Sequence, residues 1–237
     1  LFPFAPPDQF RMKITGIEDI HVVSGLGHFS FLKISTDDGL VGWAEYNDNS
    51  KTRPISAIIK GLGEQLIGQD PLPVQKIVTQ LYQLSIQAPG GLAQRANAAI
   101  EMALWDIKGK SVGLPVYALF GGPVRDRVQV YWSHCGSYRI QAGEKLGVKP
   151  VRTPNDIAEL GAEVKARGFK GLKTNVFHLI DGQLTRQMQG YGRQPTHAAL
   201  NLERHTLNGV IATLRAFREG AGPEMSLHLD SNVHFKS

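Results

Sequence analysis

Gly168-Phe169-Lys170-Gly171-Leu172-Lys173-Thr174-Asn175 is the stretch on which the fold turns. It follows a helical pattern, shows a brief β-type apolar run and ends in polar residues. Side chains alternate along a strand, so Lys173 and Asn175 point one way and Thr174 the other. Active sites of α/β barrels lie at the C-terminal ends of strands, which makes this polar pair a candidate for chemistry. The plainer alternative is a Lys and an Asn on a solvated strand end. The setting favours the first reading, because a second strand, Met225 to Asp230, also ends in polar residues, Asp230-Ser231-Asn232.

Upstream, Thr153-Pro154-Asn155-Asp156 is a helix start, with Thr at the N-cap, Pro at the first position and an acid at the third. Ile157, Leu160, Gly161 and Val164 share one stripe of that helix, and Val128 to Ser133 reads as a short strand before it. Downstream, Val176 to Leu200 reads as a long excursion without regular structure, and loops of that length are usually functional or mobile. Leu207, Val210, Ile211 and Leu214 give the next helix, which Gly220-Ala221-Gly222-Pro223 turns into the strand ending at Asp230. Strand, helix, strand, helix, strand is the alternation of a parallel sheet or barrel. No Gly-rich phosphate fingerprint follows the first of these strands, which weighs against a dinucleotide fold. A closed barrel needs eight strands and about 250 residues. The residues after Arg125 supply about three βα units, so the expectation is the front part of something larger.

The first half has a different grammar. Ile14 to Val23 reads as a strand, and Gly25-Leu26-Gly27-His28 as a glycine-punctuated loop. Phe29 to Ser35 and Leu40 to Glu45 flank Asp38-Gly39, a strong hairpin signal. Tyr46 to Lys51 is a second polar loop. Helical spacing then takes over at Ile55, Ile58, Ile59 and Leu62, again at Val74, Ile77, Val78 and Leu81, and a third time at Ile100, Ala103, Leu104 and Ile107. The expected organisation is an extension or disordered tail over 1–11, an α+β domain over 12–125 and a partial barrel over 126–237.

Composition excludes several function classes. The net charge of +5 and pI near 9.3 come from scattered Lys and Arg, with no basic run or aromatic interleaving, so no nucleic-acid partner is expected. Attraction for anionic metabolites, or no functional meaning at all, suits the charge better. The single Cys135 rules out an internal disulfide framework and fits a reducing compartment. No apolar run approaches the ~20 residues needed to span a bilayer, so no membrane partner is expected.

Ala96-Asn97-Ala98-Ala99-Ile100-Glu101-Met102-Ala103-Leu104-Trp105-Asp106-Ile107-Lys108-Gly109-Lys110, followed by Pro115-Val116-Tyr117 and Leu119-Phe120-Gly121, resembles the capping-domain signature of the mandelate racemase and muconate lactonising group of the enolase superfamily. The hairpin Asp37 to Glu45 is similar to the N-terminal sheet of that group. Glu101, Asp106 and Lys108 themselves read as packing and capping residues. The resemblance implies an α+β N-terminal capping domain followed by the first part of a TIM-like (β/α)₇β barrel, incomplete in this chain. It also implies abstraction of a proton α to a carboxylate, with the resulting enediolate stabilised by Mg²⁺, a hard cation that prefers oxygen ligands.

On that resemblance Asp230 is the first metal carboxylate, and Lys173 is the first Lys of a Lys-x-Lys pair, near the substrate carboxylate. Asn175 stands where the second Lys, the general base of racemases, would be. An amide cannot take a proton, which argues for a one-base reaction. The pattern is closest to acid-sugar dehydratases of the galactonate dehydratase type, whose base is a His on a later strand. Those enzymes have a His two residues after the metal Asp, where this chain has Asn232, able to hydrogen-bond substrate but unable to act as acid. His28, Tyr46 and Asn47, in the two cap loops, are candidate substrate contacts. His134 reads as a local hydrogen-bonder, His228 as a core histidine, and His234 as a candidate acid. The expected protein is a cytoplasmic lyase acting on a sugar acid, a homo-oligomer when full length. A cycloisomerase, an epimerase or a non-catalytic fragment is the alternative.

Overall fold

Alternating apolar residues build the first sheet. The computed structural model describes residues 12–24, 27–48, 53–87, 90–186 and 204–231, and the chain divides into two units, Leu1–Asp126 and Arg127–Ser237. In the first unit, β1 (Ile14–Ser24), β2 (Gly27–Thr36) and β3 (Val41–Tyr46) form an antiparallel sheet in that order. Asp38 turns β2 into β3: its carboxylate accepts from Thr36 Oγ1 and from the Leu40 N–H, while Gly39 takes φ 89°. One face of the sheet presents Leu32, Ile34 and Ala44 to the helices.

Those helices are α1 (Pro54–Gly63), α2 (Val74–Leu84), α3 (Gly91–Ser111) and the single turn α4 (Val116–Leu119). The stripe Ala96, Ile100, Ala103, Leu104 and Ile107 of α3 is 0% exposed. Burying an Ile- or Leu-sized side chain contributes about 1.5–3 kcal/mol. Gly42 lets α3 approach the sheet, because a Cβ there would sit 2.1 Å from the Ala103 carbonyl oxygen. The polar residues of the α3 signature bind the sheet's edge. Asp106 Oδ2 accepts the Trp43 N–H at 2.9 Å, and Lys110 Nζ donates to the Val41 carbonyl at 2.7 Å and to Asp106 at 2.6 Å. Asp106 therefore lies inside α3 and ties that helix to the edge of the sheet.

In the second unit, β4 (Gly171–Asn175) and β7 (Ser226–Asp230) are parallel neighbours, with Asn175 opposite Asp230. The strand predicted over Val128 to Ser133 is reduced to a parallel bridge, Trp132 with Leu172. Bonds from Trp132 N–H to the Gly171 carbonyl, from Lys173 N–H to the Trp132 carbonyl and from Cys135 N–H to the Lys173 carbonyl still run the segment along β4. It then turns into α5 (Ser137–Ala142). Three chain segments thus lie parallel in sequence order, the opening of a barrel.

Two helices flank β4 in sequence, α6 (Pro154–Ala166) before it and α7 (Arg204–Ala221) before β7. They pack closely at Gly220, where a Cβ would stand 1.7 Å from the Ala158 carbonyl oxygen. The capping box read at Thr153–Asp156 is present: Asp156 N–H donates to Thr153 Oγ1, and Asp156 Oδ2 accepts the Thr153 N–H at 3.0 Å. The excursion read from Val176 onward needs correction over its first part. Phe177–Ile180 and Gln183–Arg186 are strands β5 and β6 of an antiparallel hairpin. Asp181 and Gly182 turn it with φ of 48° and 74°, the two positive values that a type I′ turn demands. The rest of that excursion lies outside the described residues.

Candidate active site

β4 and β7 carry the candidate site at their C-terminal ends. Alternation places Thr174 on one face, buried, with its hydroxyl donating to the Cys135 carbonyl at 2.9 Å. Lys173 is on the other, where its ammonium meets Asp230 Oδ2 at 3.0 Å. Both side chains keep some exposure, 22% and 29%. The hydrogen bond that it donates to Asp230 is the main reason that the Lys173 ammonium titrates above its ordinary value; desolvation opposes it. Lys173 is accordingly a cation at neutral pH. Its Nζ also lies 5.9 Å from the centre of the Tyr131 ring.

Asn175, 2% exposed, accepts at its Oδ1 from Ser137 Oγ at 2.5 Å, and the same oxygen lies 3.0 Å from His134 Nδ1, which donates to it in the tautomer protonated there. Its Nδ2 is buried and has no hydrogen-bond partner among the described residues. A buried donor left unmatched costs about 1–3 kcal/mol. Ser137, at the start of α5, was not singled out in the sequence. The signal that could have found it is Gly136, φ 89°, a glycine hinge between a strand-like segment and a helix.

The structure thus brings Lys173, Asn175 and Asp230 together in the second unit. His28, Tyr46 and Asn47 belong to the first, and two of them depart from the loop placement read for them. His28 is an exposed residue of β2 opposite Val23, because the hairpin ladder extends to Ser24 and Gly27. Tyr46 ends β3, is 7% exposed, and its hydroxyl is bonded to Ser56 Oγ at 2.8 Å. Burial pushes that phenol up in pKa. Asn47 is exposed beyond β3, its carbonyl accepting from Arg95 Nη2 at 2.7 Å. His228, read as a core histidine, is exposed on β7 opposite Lys173, with its ring 5.6 Å from Tyr131. Asn232 and His234 lie outside the described residues. Cys135 is buried and its thiol is pushed up to about 12 by burial, which suits a packing role.

A hard divalent cation would find one anionic oxygen donor here, Asp230. Among the described residues no group of three or more His, Cys, Asp or Glu could hold a metal. Asp230 fits one corner of an oxygen-ligated site, and the other donors would have to come from elsewhere.

An α+β cap joined to the first parallel strands of a barrel is the architecture of the enolase superfamily. Residues 21–121 match the N-terminal domain of mandelate racemase / muconate lactonizing enzyme. The chain is 42% identical over 120 residues to a D-galactonate dehydratase of Variovorax paradoxus, covering 51% of this chain and 31% of that protein. It is 34% identical over 170 residues to a D-galactonate dehydratase of Xanthomonas campestris pv. campestris, covering 72% and 41%. Among solved structures, a Burkholderia xenovorans protein provisionally named an L-alanine-DL-glutamate epimerase, with magnesium and fumarate bound, superposes with a TM-score of 0.86 at 35% identity. That match covers 92% of this chain and 54% of that one. A protein from Mesorhizobium loti provisionally named a dehydratase gives 0.73 at 30%, covering 92% and 53%. Residues 21–121 of this chain thus form an N-terminal domain of the mandelate racemase / muconate lactonizing enzyme type, and the fold of the chain matches these solved relatives over 92% of its length. The chain spans a third to two-fifths of the curated relatives and about half of the solved ones.

Proposed function

We propose that this chain forms the cap and the opening barrel strands of a Mg²⁺-dependent acid-sugar dehydratase. Such an enzyme breaks the C–H bond α to a carboxylate and the neighbouring C–OH bond, releasing water and an enol that becomes a 2-keto-3-deoxy acid. The observation that carries this reading is the polarity of the β4 end, a paired ammonium at Lys173 followed by an amide at Asn175. The D-galactonate dehydratase relatives support it.

Lys173 keeps its proton through Asp230 and offsets the negative charge of a substrate carboxylate. Asn175 can hydrogen-bond but cannot accept the α-proton, so a single base from elsewhere would work on one face of the carbon. Asp230 would be one of the ligands holding Mg²⁺, whose charge, when bound, would lower the energy of the enediolate. Asn232, His28 and Asn47 remain candidate substrate contacts, and Tyr46 is the weakest, its hydroxyl being committed to Ser56. No described helix is long and apolar enough to cross a membrane. A cytoplasmic, homo-oligomeric enzyme goes with the same proposal.

An epimerase is the second reading, favoured by the name of the Burkholderia neighbour. Epimerisation requires a base on each face of the α-carbon, and Asn175 weighs against it. The test is a full-length protein containing this chain, presented with acid-sugar diastereomers in D₂O. A 2-keto-3-deoxy product is expected. An inverted, deuterated substrate without loss of water would replace the dehydratase by the epimerase, and neither product would sink both readings.

A further inference from the structure

β1 is an outer strand of the cap sheet, and its outward rim can be read residue by residue. Ser24 and Gly27 are the last pair of the β1–β2 ladder, with two residues between them in sequence. Such a closing pair bonds to itself, so alternation turns the N–H and C=O of Val23, His21, Asp19 and Ile17 away from β2. The register shift between Ile14 and Gly16 moves that alternation by one. Ile14 accordingly faces outward too, giving its N–H to the Gln69 carbonyl at 2.9 Å and accepting the Gly68 N–H at 2.8 Å. From Ile17 to Val23 no backbone bond to the rim occurs among the described residues. The opposite outer strand, β3, gives its outward groups to Asp106 and Lys110. Along the β1 rim the apolar side chains are exposed, Ile20 by 37%, Val22 by 46% and Val23 by 72%. An uncovered edge of this kind is a template for a further strand.

We propose that this rim is an interface between two copies of the chain, each β1 running antiparallel to the other about a twofold axis at Ile20. In that register the rim is its own complement. Asp19 stands opposite His21 of the second copy, a carboxylate against an imidazole, and Ile17 stands opposite Val23, apolar against apolar. These four are the residues whose backbone groups point outward, so the ladder and the side chains agree. Shifting the pairing by two residues would set Asp19 against Asp19, or His21 against His21. Within one chain Asp19 Oδ2 and His21 Nε2 already lie 2.8 Å apart, so the axis gathers two carboxylates and two imidazoles. Glu18, which would face Val22, is held by Lys33 Nζ at 3.0 Å. The surface deepens the homo-oligomeric part of the function proposed above and does not depend on the reaction assigned to the site.

In sedimentation velocity the 237-residue chain is expected to run as a dimer. Val23→Pro removes one outward N–H and no bond of the β1–β2 ladder, so its circular dichroism should match the parent's. It should weaken self-association about tenfold or more, because two interchain bonds go with it. Ile20→Cys should give a covalent dimer on mild oxidation, since opposed Cα atoms in such a pair lie about 4.5 Å apart, within disulfide reach. Val22→Cys should not, its twofold mate being ~13 Å away at about 3.3 Å per residue. A monomeric chain would overturn the proposal, as would a Val23→Pro variant that dimerises as tightly as the parent. So would Val22→Cys linking as readily as Ile20→Cys. A monomer whose Asp19 and His21 N–H groups resist hydrogen exchange would assign the rim to another segment of the same chain. None of these readouts involves turnover, so a missing dehydration product and a missing interface are separate failures.

Discussion

Lys173 and Asp230 show how much one register position decides. Each is an ordinary surface-compatible residue, but the parallel pairing of β4 with β7 sets them 3.0 Å apart. A partly exposed pair of this kind contributes on the order of 0–1 kcal/mol to stability, which makes its effect on charge state the more useful readout. The folded Lys173 ammonium is raised above its unfolded value, chiefly by the hydrogen bond it donates to Asp230. Its contribution is therefore complete below the unfolded lysine value near ~10.4 and disappears as pH climbs through the folded one. Asp230→Asn should return the Lys173 titration, followed by NMR at Cε, toward ordinary lysine. An unchanged titration would mean that the pair does not exist in solution. The polar residues of β4 and β7 were legible because strand alternation fixes their face. The partners of Asn175 were not, because Ser137 and His134 reach it from a turn whose geometry depends on Gly136 and on a positive φ.

Among the elements, α6 is the one whose start is most directly written in the chain. Burial alone would push the Asp156 carboxyl up. The Thr153 hydroxyl, the N–H groups of Arg152 and Thr153 and the Lys149 ammonium outweigh that and bring it down to about 2. A depressed carboxylate stabilises the fold above its unfolded value near ~3.9 and loses that effect as pH falls through the folded one. Asp156→Asn should thus cost about 1 kcal/mol at neutral pH. In urea unfolding the gap from the parent should close as pH falls from about 4 to about 2. A gap that persists in acid would assign the box to shape and not to charge. The β5–β6 hairpin was missed although Asp181-Gly182 is the same dipeptide that signals the turn at Asp38-Gly39. The flanking runs, Phe177–Ile180 and Gln183–Arg186, are only four residues long, too short for a clear period of two.

At the scale of the whole molecule, the cap reads clearly because its helices and sheet bury regular apolar stripes. The barrel reads only in part. Parallel strands that open a barrel need neighbours to complete both the sheet and the ligand set at its mouth, and among the described residues one carboxylate, Asp230, stands at the ends of β4 and β7. We expect the 237-residue chain, incubated with D-galactonate and Mg²⁺, to form no 2-keto-3-deoxy acid above the protein-free control. Product formed by the purified chain would show that three parallel segments suffice for the chemistry. A different consequence follows from the contacts of Asp106 and Lys110 with the outer rim of β3. A foreign strand that could otherwise zip onto that rim meets a carboxylate and an ammonium already seated on its hydrogen-bonding groups. The signature helix thereby closes that rim to strand addition at Val41 and Trp43.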